Sequence, residues 1–152
     1  VKAAQRFTFC SILLASVATL PAYAACVDPV NQEGVHLQQQ QQNGINYVSG
    51  GIGQDEACAI QQMRGYNLHI TFSAGPDNKY ESGIKVAIQG AQGHQVLSVD
   101  DVGPILLTQL PAGKYVVVAQ LDGREMRSTV DLSSGKMQAL NVHWREPSAS
   151  KM

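Results

Sequence analysis

The chain lacks most of the features that announce chemistry in a sequence. Its 152 residues include three cysteines and four histidines. None stands in Cys-x-x-Cys, His-x-x-x-His or His-Glu-x-x-His spacing, so no metal or cofactor is expected. No serine occupies a Gly-x-Ser-x-Gly elbow, the turn that exposes a hydrolase nucleophile. Lysine and arginine number 11 against 12 acids, without a basic cluster, which argues against a nucleic-acid partner. Aromatic residues are scarce, and after residue 20 no apolar run is long enough to span a bilayer.

What the chain does have begins at its first residues. Lys2 and Arg6 precede "FTFCSILLASVATL", residues 7–20, which carries no charge, and then "PAYAAC". A basic start, a short apolar core and small residues at Ala22 and Ala24 read as a secretory signal over 1–24, cut after Ala24. Removing it leaves nine basic residues against 12 acidic, a charge of about −3 on one domain-sized chain. Cys26 after Ala24 and Ala25 also resembles the end of a bacterial lipoprotein signal. Such signals carry Leu three places before the cysteine, where this chain has Tyr23. A cleaved periplasmic or secreted protein is the expectation, and a lipid anchor through Cys26 the alternative.

Residues 25–46 contain five consecutive glutamines, Gln38–Gln42, and few apolar anchors. They read as a flexible polar leader. The stretch over 47–65 opens on "YVSGGIGQDEACAI". Its glycines raise the question of a phosphate loop. A phosphate loop needs free backbone N–H groups and, in nucleotide sites, a following lysine. Here Asp55 and Glu56 already place negative charge at the spot, so the stretch reads as the start of a helix over 54–64. Gly53 is its expected N-cap, Ile52 and Ala57 its hydrophobic staple, and Gly65 its stop. Ala57, Ile60 and Met63 form its apolar stripe.

From Tyr66 the hydrophobic period changes to two. Tyr66, Leu68, Ile70 and Phe72 alternate with polar residues, as do Leu140, Val142 and Trp144. These residues, with Tyr115 and Val117, are the expected core. Turn signals separate about seven short strands, which predicts an antiparallel Greek-key β-sandwich over 66–146. Residues 147–152 read as a disordered tail. Val116 and Val118 are apolar on the second face of their strand, so the short helix or a partner is expected to cover them.

The segment "GPILLTQLPAGKYVVVAQLDGREMRSTVDLSSGKMQALNVHW" resembles the carboxypeptidase regulatory-like family of transthyretin-like β-sandwich modules. Gly103, Ile105, Leu107, Leu110, Pro111, Gly113, Tyr115 and Gly123 carry the likeness, with "GIKVAIQGAQG" before them, over residues 66–145. The resemblance implies a non-catalytic binding or scaffolding module of the envelope, with a protein or glycan partner. The peptidase activity in the family's name belongs to a neighbouring domain and is not carried over. The second functional reading is a small-molecule or metal carrier at the sandwich rim. Of the histidines, His36 and His94 have no partner in sequence, while His69 and His143 meet only if their strands pair. Cys10 leaves with the signal, so Cys26 and Cys58 either form a disulfide or stand as separate thiols.

Overall fold

The computed structural model describes Cys26 and residues 29–146. The expected signal over 1–24 and the tail over 147–152 lie outside the described residues. After a 3-10 turn at Gln32–Gly34 come β1 (Gln40–Gln42), β2 (Ile45–Gly50), α1 (Gln54–Gln62), β3 (Leu68–Ala74) and β4 (Lys79–Tyr80). Then follow β5 (Ile84–Gly90), β6 (Gln95–Val102), β7 (Ile105–Gln109), β8 (Lys114–Leu121), β9 (Arg124–Asp131) and β10 (Gln138–Trp144). One sheet has the order β1-β2-β7-β3-β10, with β4 beside the end of β3, and the other has the order β6-β5-β8-β9. The protein is a mainly β sandwich with one helix.

Alternation in the sequence sets the faces. Leu68, Ile70 and Phe72 point inward from β3, fully buried, and meet Val86, Ile88, Val117 and Ala119 of the opposite sheet in one core. Tyr115, Val142 and Trp144 join them, and Leu140 packs at the margin. Tyr66 does not. It lies in a second cluster with Val48, Ile60, Ile105 and Leu107, where α1 docks on the outer face of the first sheet. Hence β7 is buried on both faces, with Leu106 in the main core and Ile105 and Leu107 under the helix.

Several expectations need correction. The helix does not cover Val116 and Val118, which stand half-buried on the outer face of the other sheet. Their ladder neighbours are Gln89 and Thr129 for Val116, and Ala87 and Arg127 for Val118. The pairing of β10 with β3 is parallel, with Val142 opposite Phe72. β10 enters from the other sheet, so no tight reversal forces it to run antiparallel.

The glutamine-rich segment is not a free leader across its length. Asn43 and Gly44, at φ 51° and 76°, make a two-residue hairpin between β1 and β2, the geometry that Asn-Gly favours. Gln42 then closes one lateral edge of the sandwich. Ser98 N–H donates to its Oε1 at 2.6 Å, and its Nε2 donates to Ser98 O at 2.9 Å. A side-chain amide carries the same donor and acceptor as a peptide group. Asn67, expected on a wet face, is buried for the same reason, bonding Leu110 O at 2.7 Å and Leu110 N–H at 2.9 Å.

Candidate functional site

The glycine stretch ahead of α1 does hold an anion, and the anion is its own. The Glu56 carboxylate accepts from Gly51 N–H at 2.9 Å, Ile52 N–H at 3.4 Å and His36 N–H at 3.1 Å. Asp55 accepts from Asn31 N–H at 3.1 Å. Two acids in the first turn therefore fasten residues 31–36 to the helix. Gly50 permits this approach, because a Cβ there would run into Leu37 and come 2.7 Å from Glu56 Oε1. Two of the loop donors that could cradle a phosphate, Gly51 and Ile52 N–H, are thus taken by Glu56. Glu56→Ala leaves those N–H groups without their acceptor and is expected to lower stability by about 2–3 kcal/mol. Glu56→Gln, which keeps one acceptor oxygen, should recover part of that loss. Equal urea midpoints for Glu56→Ala and the unaltered protein would overturn this role.

An open apolar cleft of about 590 Å³ lies beside this loop. Ile52, 65% exposed, and Tyr80, 61% exposed, stand on it with Pro104 and Ala57. Ile52 is not stapled onto the helix as its position predicts. Gly51 and Gly53, at φ 96° and 85°, turn the chain so that Ile52 points outward. Tyr80 arrives because β4 runs beside the end of β3, with Tyr80 opposite Ser73. Cys26 and Cys58 form a disulfide in the cleft wall, their Cα atoms 5.7 Å apart. A cysteine sulfur in that bond is not available for the thioether of a lipid anchor.

The other sequence candidates are scattered. The strands bearing His69 and His143 do pair, but His69 faces Ala139 and His143 faces Ser73. Four residues of ladder separate the two rings by about 13 Å. Burial lowers the pKa of His69 below its usual value by penalising the charged ring. Ser73 Oγ and His143 Nδ1 stand 2.9 Å apart. Acyl transfer also needs free donors for an oxyanion. Ser73 has β10 on one side and β4 on the other, so its strand offers no such pair. Among the described residues no cluster of three metal-ligating side chains forms.

A second cleft, about 790 Å³ and wide open, lies at the sandwich rim. Three turns build it, bringing Asn43, His94 and Lys114 over Ile45 and Tyr115. The Tyr115 hydroxyl donates to Pro111 O at 2.6 Å and braces that corner, as tyrosine corners do in Greek-key sandwiches.

No protein-family model matches the chain, and no curated protein matches it. Among solved structures it is similar to PorZ, an essential bacterial surface component of the type-IX secretion system of Porphyromonas gingivalis. The identity is 13% and the TM-score 0.31, over 63% of this chain and 16% of that one. The chain thus spans a small part of PorZ, and a likeness at that level does not bear on function.

Sequence reasoning placed the apolar surface at Val116 and Val118 and missed Ile52 and Tyr80. Ile52 carried a misleading signal, since its spacing from Ala57 reads as a staple. Tyr80 follows the turn residues of "GPDNK", and nothing local says that its ring stays uncovered. Among the described residues no helix is long and apolar enough to cross a membrane.

Proposed function

We propose that this chain is an exported, non-catalytic β-sandwich module of the carboxypeptidase regulatory-like type that binds a protein partner in the cell envelope. The observation that carries the reading is the pairing of exposed Ile52 and Tyr80 across one cleft beside the disulfide. Uncovered large apolar side chains grouped on one surface favour a protein partner. The disulfide and the signal pattern over 1–24 support export into an oxidising compartment. The rim cleft favours a second reading, a small-molecule carrier, since its volume falls in the range of ligand sites. Its open form, with few converging polar groups, makes it the weaker of the two.

The test is a photo-crosslinking residue placed at position 52, 80 or 118 in the protein expressed in its native envelope. The expected result is a discrete adduct from positions 52 and 80 and none from 118. Adducts from all three positions alike, or from none, would overturn the reading.

A further inference from the structure

The first sheet ends at β10, and among the described residues no strand pairs with its outer edge. β10 pairs only with β3. Gln138 N–H donates to Asn67 O at 2.9 Å, and Trp144 O accepts from Gly75 N–H at 3.0 Å. These two bonds set which peptide groups of β10 face β3: those of residues 138, 140, 142 and 144. In a parallel ladder the intervening residues face the other way. The N–H and C=O groups of Ala139, Asn141 and His143 therefore line the open edge, and none has a partner among the described residues.

Natural sheets blunt such an edge with charge, proline, brevity or a cover. The other three edges follow that rule. β1 has three residues, Gln42 covers β6, and β9 carries Arg124, Glu125, Arg127 and Asp131. The outward residues of β10 include neither a lysine nor a proline. A cleft of about 550 Å³ between β9 and β10 adjoins this edge, with Met126 and Trp144 on its wall. Met126 pairs with buried Ala119 in the β8–β9 ladder, yet is 37% exposed. Arg124 and Arg145 flank the cleft, and its glutamate, Glu125, is committed to Arg127 at 2.7 Å.

We propose that the open edge of β10 takes up an extended, acid-bearing polypeptide segment as an added strand. The unpaired peptide groups select a polypeptide backbone over a glycan. Arg145, and Arg124, whose guanidinium donates to Arg145 O at 3.1 Å and keeps further N–H donors, select carboxylates on it, and its apolar side chains cover Met126. The surface shares no residue with the cleft at Ile52 and Tyr80, so it stands or falls separately from the proposed function.

The probe is a blocked octapeptide of alternating valine and aspartate, titrated into the full chain while amide exchange is followed by NMR. Saturating peptide should slow exchange at Ala139, Asn141 and His143 by about tenfold or more. A valine–lysine octapeptide should bind about tenfold more weakly, and Arg145→Glu should reverse that order. N-methylation of alternate peptide residues on the side facing β10 should abolish binding to the unaltered protein. Asn141→Pro removes an outward N–H while sparing the β3 ladder, and should weaken binding with little change in melting temperature. Exchange unchanged at the three amides, or equal affinity for the two peptides, overturns the proposal. So does protection of the three amides that grows with protein concentration alone, which would make the occupant a second copy of the chain.

Discussion

Phe72→Ala should lower the unfolding free energy by about 3–5 kcal/mol, the cost of deleting a large ring from a packed core. Phe72 is fully buried, stands opposite Val142 in the β3–β10 ladder, and has its ring centroid 6.2 Å from that of Trp144. Both sheets pack around this position, so neither can collapse into the space without disturbing the other. Val118→Ala, on the half-buried outer face, should cost less than about 1 kcal/mol by comparison. Urea unfolding of the two variants measures the contrast. Equal losses would mean that the inward row of β3 is not the centre of the core.

The second large effect belongs to the disulfide. Cys26 and Cys58 are 32 residues apart in sequence. In the chain-entropy account, opening a loop of that length releases about 3–4 kcal/mol of constraint on the unfolded chain. The paired Cys26→Ser and Cys58→Ser variant should lose that much stability, while Asp55 and Glu56 still hold residues 31–36 through their backbone bonds. Alkylation of the oxidised protein under denaturing, non-reducing conditions checks the bond itself. No label at either cysteine is expected; two labels per chain would mean separate thiols.

The contrast between legible and hidden features runs along the chain. Leu68, Ile70 and Phe72 could be assigned to one face because alternation is a local property of an extended backbone. The helix start at Gln54 was equally local, announced by glycine before it and acids in its first turn. Asn43-Gly44 was a legible hairpin signal that the glutamine run around it obscured. By contrast, Gln42 reads as a solvated side chain until Ser98, 56 residues away, is placed beside it.

The same divide governs the candidate surfaces. Val116 and Val118 read as facing the helix or a partner because they are apolar on a polar face, yet the helix docks on the other sheet and leaves them half-buried. Ile52 looked packed, and two left-handed glycines expose it. The open edge of β10 could not be read at all from "QALNVHW", since an edge strand differs from an inner one only by what lies beside it.

The sequence by itself therefore determined the mainly β character, the inward and outward rows of most strands, and the one short helix. Tertiary structure alone decided the parallel partner of β10, the sheet on which α1 docks, the amide bridges of Gln42 and Asn67, and the two uncovered surfaces. The reason is physical. Propensity and period act between residues a few positions apart, whereas strand neighbours and exposure are set by contacts between distant segments, which no local pattern encodes.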